Sequence, residues 1–169
     1  QDISRVVNSQ QKKHDLTLSI LRCQHYGFVP QTNGLLPYLK VQQNIELQAQ
    51  IQGRSIDRSW LAHATAKLGL ETLTNRYARE LSIGQRQRVS FLRAIAHRPN
   101  ILLADEPTAA LDPDHATTLF EVMLELARDL QIATVVVTHE WGLVQSFGLS
   151  RLTAKSVGPS HMAFEPCQA

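Results

Sequence analysis

The stretch from Leu81 to Asp112, LSIGQRQRVSFLRAIAHRPNILLADEPTAALD, decides the fold of this 169-residue chain. Ser82 is followed three residues later by Gln85, which fits a capping box in which each side chain satisfies a backbone amide of the other residue. Apolar residues then recur at helical spacing, and Pro99 disfavours helical geometry at the residue before it. The stretch therefore predicts a helix over residues 83–97.

Gly84 lies in the first turn of this predicted helix. Because glycine has no Cβ, another molecule could approach the first-turn backbone amides closely at this position. The helix dipole places roughly half a positive charge at the same end. This combination suits the binding of an anion such as phosphate.

A short apolar run, Ile101–Ala104, follows the helix and is too short to be a helix itself. It predicts a buried parallel strand with two carboxylates, Asp105 and Glu106, at its carboxyl end. Open α/β sheets bind ligands at this edge, where one carboxylate can hold Mg²⁺ while its neighbour polarises water. The alternative is an acidic turn that caps a helix, and the neighbouring glycine-containing helix start argues against it.

These segments resemble the ATP-binding subunits of ABC transporters. LSIGQ is similar to that family's LSGGQ signature, ILLADEP to its Walker B strand, and Ala109–Asp112 to its D-loop. Ile83 departs from the pattern, because the family usually has a glycine at that position. The resemblance implies that ATP and Mg²⁺ are the cofactors of the complete domain.

The resemblance also implies roles for individual residues. Asp105 would bind Mg²⁺ through water, and Glu106 would be the general base. The signature residues Ser82, Gly84 and Gln85 would complete the nucleotide site of a second subunit. In the family Asp112 also belongs to the nucleotide site, which completes the set predicted from this stretch.

Downstream of Asp112, the sequence predicts a helix that begins at Pro113, and then a β-branched strand over residues 132–137. A strand, a helix and a strand in this order form a right-handed parallel crossover, so Glu106 and His139 should lie at the same edge of the sheet. His139 resembles the family's H-switch, which contacts the γ-phosphate. A helix over residues 141–147 and a hairpin over residues 149–164 should follow.

Upstream of the signature, Asp2–Ser4 resembles a segment that follows the family's phosphate-binding loop. We expect a helix from Ser9 to Arg22, a strand over Tyr26–Val29, and helices over residues 41–51 and 57–69. Gln31 resembles the first residue of the Q-loop, which contacts the metal and the attacking water and senses the transporter. A lone glutamine after a strand is usually an ordinary loop residue, so this role depends on the surrounding YGFVPQ match.

The fold class expected from these segments is α/β. It is a P-loop NTPase-like parallel sheet flanked by helices, with an inserted helical signature subdomain. We assign residues 1–31 and 99–169 to the RecA-like core and residues 32–98 to the helical subdomain. The sequence contains no Gly-Lys pair, so the P-loop motif that holds the β and γ phosphates is missing from these 169 residues. We therefore expect an N-terminally truncated domain that is inactive on its own.

Composition narrows the possible partners. The 17 Lys and Arg against 15 Asp and Glu give a formal charge of +2 without a long basic run, so nucleic acid is not expected as a partner. The sequence has neither a stretch typical of a membrane helix nor a signal-peptide pattern. Cys23 and Cys167 form no metal-like cluster and suit a reducing cytosol.

Three functions remain open at this point. The first is an ABC transporter ATPase, cytoplasmic and peripheral to the inner face of the membrane, whose partners are a transmembrane permease and a second ATPase subunit in a homodimer. The second is a soluble ABC ATPase of translation or DNA repair, and the third is a non-catalytic module that donates only its signature face. The Leu35–Pro37 and LADEPT segments resemble the lipoprotein-release and macrolide-export branch of the transporters.

The strand ending at His139 should be an exposed edge, since the family places the missing P-loop strand beside it. Unpaired strand edges recruit other chains, so we expect this fragment to self-associate.

Overall fold

The computed structural model describes residue 15, residues 17–158 and residues 161–166. Two compact units are present, one formed by the described residues up to His139 and the other by those from Glu140 onward. The first unit holds the sheet and its helices, and the second holds a short helix and a hairpin. The expectations for Asp2–Ser4, for a helix start at Ser9 and for Cys167 lie outside the described residues.

In the first unit, residues 17–25 are helical and are followed by strands and helices in the predicted alternation. Their bounds are β1 Tyr26–Val29, α1 Val41–Ile51, α2 Arg58–Lys67, α3 Ile83–Ile95, β2 Ile101–Asp105, α4 Pro113–Asp129 and β3 Ala133–Val137. Short 3-10 turns at Glu71–Leu73 and Ala78–Glu80 connect α2 to α3. The second unit contains α5 Trp141–Ser146 and the antiparallel strands β4 Leu152–Gly158 and β5 His161–Pro166.

The predicted capping box starts α3 as expected. The Gln85 amide donates to Ser82 Oγ at 3.2 Å, and the Ser82 amide donates to Gln85 Oε1 at 2.9 Å. The helix ends two residues earlier than predicted, at Ile95. The reason is Arg98, whose left-handed backbone (φ 53°) closes a turn through a hydrogen bond of 2.9 Å from its amide to the Ile95 carbonyl.

The three strands of the first unit form a parallel sheet in the order β1-β2-β3, which confirms the α/β class. Phe28 of β1 lies beside Leu103 of β2, and Leu103 lies beside Val135 of β3. Strand β2 is one residue longer than predicted, because Asp105 still pairs with Val137. The two carboxylates are therefore divided, with Asp105 ending the strand and Glu106 beginning the loop.

One face of this sheet is buried and contributes to the core. Gly27 faces α3 so closely that a Cβ there would stand 2.2 Å from the Ala94 carbonyl oxygen. Leu102 and Ala104 of β2 lie on the same buried face, and the core continues through α1, α2 and α4. The opposite face carries Val135 and Val137, which are 41% and 59% exposed. The helix-covered face thus fixes the position of α3 relative to the strand ends.

Among the residues described, none of the helices has the length and apolar character needed to cross a membrane.

Candidate nucleotide and metal site

The carboxyl edge of the sheet brings three predicted site residues to one place. Gln31 lies two residues beyond Val29, and Glu106 lies two residues beyond Ala104, the register partner of Val29. His139 lies two residues beyond Val137, which pairs with Asp105. The parallel register therefore places Gln31, Glu106 and His139 at adjacent strand ends, which was predicted for Glu106 and His139 and adds Gln31.

Glu106 has an unusual environment for a carboxylate. Its side chain is only 8% exposed, and its Oε1 atom is buried without a hydrogen-bond partner among the described residues. Buried polar atoms normally have a partner, so this carboxylate oxygen is a candidate to accept a hydrogen bond from a bound group. This is the position that the sequence assigned to the general base.

The backbone of Glu106 is also strained. Its φ of 47° lies in the left-handed region, which costs a non-glycine residue of order 1–3 kcal/mol. The conformation is held from β3, because the Glu106 amide donates to the Val137 carbonyl at 2.8 Å. Strain of this kind clusters at functional sites. Here it turns the chain at the end of β2.

His139 lies close to this carboxylate oxygen. Its Nε2 lies 3.4 Å from Glu106 Oε1, while its own side chain is 95% exposed. The imidazole therefore stands between the buried carboxylate and solvent, where it can reach both Glu106 and a bound group. This arrangement suits a residue that orients a reacting phosphate or water.

The family resemblance implies a magnesium ion held by Asp105 and Gln31, and the chemistry of these two side chains fits it. Asp105 is half-buried, Gln31 is exposed, and both offer the oxygen ligands that Mg²⁺ prefers. No group of three or more His, Cys, Asp and Glu side chains in the described part of the chain is placed to hold a metal. One carboxylate and one amide oxygen suit Mg²⁺, which usually keeps several waters and takes further ligands from substrate phosphates.

The signature residues form a second cluster at the start of α3. Ser82 is exposed, and Gly84 and Gln85 are half-buried. A Cβ on Gly84 would stand 2.8 Å from Leu111 Cδ2, so the absence of a side chain there also lets Leu111 pack against the helix start. The prediction considered only the approach of another molecule, and this contact within the chain is an additional reason for glycine.

Asp112 follows Leu111 directly and caps α4. Its Oδ1 accepts the His115 amide at 3.2 Å, and the His115 imidazole Nδ1 lies 2.8 Å from both carboxylate oxygens. The hydrogen bonds from the His115 side chain and backbone lower the pKa of Asp112. The contact between Gly84 and Leu111 therefore places this ionised carboxylate in the segment that adjoins the signature helix.

Ile83, the departure from the signature pattern, occupies the first position of α3 and is 51% exposed. Its side chain thus stands at the surface where a second molecule would approach the first-turn amides.

An apolar groove of about 890 Å³ lies at the outer edge of β1 and was not predicted from the sequence. Pro30 and Gly34 of the Gln31 loop line it together with Leu47 of α1 and Arg93 of α3. Neither strand periodicity nor motif spacing signals a groove, since its walls come from segments far apart in the chain.

Comparisons with known proteins agree with this geometry. The family model described as ABC transporter matches residues 5–109. The chain is 41% identical over 121 residues to the methionine import ATP-binding protein MetN of Cereibacter sphaeroides. This match covers 70% of this chain and 34% of MetN. It is 38% identical over 124 residues to the ATP-binding protein HrtA of Staphylococcus aureus strain Newman, covering 72% of this chain and 56% of HrtA.

Two solved structures of the bacterial ABC transporter cassette MJ0796 share the fold. The dimeric structure has a TM-score of 0.68 and 32% identity, over 78% of this chain and 59% of that chain. The post-hydrolysis dimer bound to ADP and Pi has a TM-score of 0.67 at the same 32% identity, over 76% of this chain and 58% of that chain. The chain therefore spans between about a third and three fifths of the relatives it matches.

The family match covers more than half of the chain, and the fold is shared with solved ABC transporter cassettes. The chain belongs to the ABC transporter family, and its similarity is to the ATP-binding domain of that family.

Proposed function

We propose that this chain supplies the metal, water-polarising, switch and signature residues of an ATPase that couples MgATP hydrolysis to transport across a membrane. The observation that carries the proposal is the buried Glu106 oxygen without a partner, 3.4 Å from His139 and at the same sheet edge as Gln31. A general base needs a carboxylate that is fixed in place and free to accept a proton. Glu106 meets both conditions.

In the proposed site, Asp105 and Gln31 would hold Mg²⁺, which would supply positive charge against the phosphates. Glu106 accepts a proton from the attacking water, and His139 contacts the γ-phosphate from the solvent side. The triphosphate itself is held by a P-loop from outside these 169 residues, because the sequence has no Gly-Lys pair.

Ser82, Gly84 and Gln85 act on the nucleotide of a second subunit in this proposal. They lie at the start of α3, with Ser82 as its N-cap, and the first-turn amides there suit a phosphate. The dimeric MJ0796 cassettes support a two-subunit assembly. Asp112 directly follows Leu111, which lies close to Gly84.

We propose that a transmembrane permease docks in the groove beside β1, so that the ATPase lies on the cytoplasmic side of the membrane. The groove is apolar, and Pro30 and Gly34 from the Gln31 loop line it. A segment of the permease seated there would contact the loop that carries Gln31. The groove therefore offers a direct route from partner binding to the catalytic edge.

The groove proposal predicts a large effect of Leu47→Asp. Leu47 lines the groove, so the substitution would place a carboxylate against an apolar partner and should weaken permease binding by at least about tenfold. Ile51→Asp is the matched control, because Ile51 lies on the same helix, is 66% exposed and does not line the groove. Co-purification with the permease from membranes measures both, and equal losses for the two variants would contradict the assignment.

The branch proposed from the Leu35–Pro37 and LADEPT segments is lipoprotein release and macrolide export. Support for it comes from these short loops alone. MetN, in contrast, is named for methionine import.

Co-purification with a membrane protein rather than with ribosomes would separate the transporter proposal from a soluble ATPase of translation.

The catalytic proposal is tested in a complete cassette that contains this chain behind a P-loop. Glu106→Gln should lower ATP turnover by at least about 100-fold, because the amide cannot act as the base. The matched control is Glu121→Gln on α4, where the side chain is exposed and away from the sheet edge. If Glu106→Gln kept most of the turnover, Glu106 would not be the general base.

A further inference from the structure

The turn that carries Gln31 has an unusual backbone. The Asn33 amide donates to the Pro30 carbonyl at 2.9 Å and closes a turn around Gln31 and Thr32. Asn33 (φ 65°) and Gly34 (φ 54°) are then both left-handed. A left-handed backbone is uncommon for a residue other than glycine, so the conformation of Asn33 needs support from its surroundings.

Side chains of α3 donate hydrogen bonds to the backbone carbonyls of Asn33 and Gly34. The buried Ser90 hydroxyl donates to the Asn33 carbonyl at 2.8 Å. The Arg93 guanidinium donates to the Gly34 carbonyl at 2.8 Å and to the Asn33 carbonyl at 3.3 Å. One cation and one buried hydroxyl thus clamp two successive carbonyls, and hydrogen bonds from a charged donor are the stronger kind.

The second half of the loop is anchored elsewhere. The Leu36 amide donates to Asn44 Oδ1 at 2.9 Å, and the buried Asn44 side chain also donates to the Leu36 carbonyl at 3.0 Å. Asn44 belongs to α1. The loop therefore has two separate attachments, one to α3 near Gln31 and one to α1 further on.

Helix α3 is the same helix that begins at the signature. Ser90 and Arg93 lie on it eight and eleven residues after Ser82, and the close contact between Gly27 and Ala94 keeps its far end against β1. The helix is continuous from Ile83 to Ile95, so Ser90 and Arg93 belong to the same element as the signature. A displacement of the start of α3 would therefore also change the positions of Ser90 and Arg93.

We propose that Ser90 and Arg93 are positioning residues that bind the Gln31 turn to the signature helix. They tie the placement of Gln31 at the sheet edge to the position of Ser82 and Gly84. Arg93 also lines the groove beside β1, so a docked partner contacts the same clamp. This inference rests on the proposed function, because Gln31 has a catalytic task only in that site.

The clamp is tested on the chain itself by amide hydrogen exchange measured by NMR, without nucleotide or permease. Arg93→Gln should accelerate exchange of the Asn33 amide by about tenfold or more, since a charged donor is lost. The Leu36 amide, held by Asn44, should change by less than about twofold. The Asn33 exchange rate in Arg93→Lys should lie between the rates in Arg93→Gln and in the unchanged chain. The reason is that one ammonium group can donate to only part of the carbonyl pair.

Ser90→Ala and Arg88→Gln complete the design. Ser90→Ala removes only the hydroxyl and should accelerate Asn33 exchange by about threefold, even if Arg93→Gln fails to fold. Arg88 lies on the same helix and donates to the Leu68 carbonyl, so Arg88→Gln should leave Asn33 exchange unchanged. The side-chain amide resonances of Gln31 should shift in Arg93→Gln and in Ser90→Ala and not in Arg88→Gln.

Unchanged exchange of the Asn33 amide in both Arg93→Gln and Ser90→Ala would overturn the inference. Equal acceleration at Asn33 and Leu36 would also overturn it, because that pattern indicates general loosening of the fold. The experiment requires no ATP turnover, so its failure leaves the catalytic proposal standing. Conversely, if the Glu106→Gln test contradicted the catalytic proposal, the expected exchange rates of the Asn33 amide would not change.

Discussion

The 169-residue chain should show no ATP turnover above that of its own Glu106→Gln variant, and no ATP binding at concentrations of about 1 mM. Phosphoryl transfer is catalysed by positioning and electrostatic stabilisation, which require oriented amides and a lysine around the triphosphate. No Gly-Lys pair is present to supply them. The start of α3 could attract a phosphate, but a helix terminus at an exposed site contributes only about 1 kcal/mol.

Steady-state phosphate release from the purified chain and from Glu106→Gln measures ATP turnover. Titration calorimetry with MgATP measures ATP binding. Glu121→Gln serves as the charge-matched control for the variant. Turnover that is present in the chain and lost in Glu106→Gln would show that a working site assembles without a P-loop.

The chain should also self-associate through the free edge of β3. Within the described residues β3 pairs only with β2, and its sequence, ATVVV, carries no charge that would discourage another strand. Val135 and Val137 are exposed on the same face of the sheet, so pairing with a second copy would bury apolar side chains as well as backbone groups. Such edges are sites of strand addition.

Val135→Lys should shift the chain toward monomer, because a lysine on an edge strand disfavours edge-to-edge pairing. The matched control is Ile51→Lys, which places the same charge at an exposed apolar position of α1. Sedimentation velocity over a range of concentrations distinguishes the two variants. A compact monomer at every concentration, or equal dispersal by both substitutions, would contradict this prediction.

Local signals were sufficient for much of the fold. Strand β1 and helix α1 were predicted with their observed bounds, and Pro30 marked the end of β1. The capping residue Ser82 marked the start of α3. The end of α3 was missed by two residues because it depends on the left-handed Arg98, and arginine gives no sequence signal for that conformation.

The candidate site was predictable where parallel topology alone decides proximity. Glu106 and His139 follow adjacent parallel strands, so their meeting followed from the strand assignments. The clamp formed by Ser90 and Arg93 on Asn33 was not predictable, because it joins residues 57 and 60 positions apart through backbone carbonyls. Contacts to the backbone leave no pattern in the partner's side chain.

The packing of Leu111 over Gly84 was missed for a related reason. Glycine in a signature-like motif was interpreted through ligand approach, whereas its neighbour in the folded chain lies 27 residues away in sequence. Only the three-dimensional arrangement shows that the signature and the Asp112 segment share a contact.

The central claim is that this chain carries two half-sites, a catalytic edge and a signature, that act on different nucleotides of a dimer. It is tested most directly by mixing two variants of a complete cassette, Glu106→Gln and Gly84→Asp. Each should be inactive alone, the first without its base and the second with a carboxylate that repels the phosphate and a Cβ that displaces Leu111 from the start of α3. Mixed in equal amounts, they should regain about a quarter of the wild-type ATP turnover, because half of the dimers then hold one intact site of two. A mixture as inactive as its components would show that both sets of residues serve one site within a single chain, and would contradict this account.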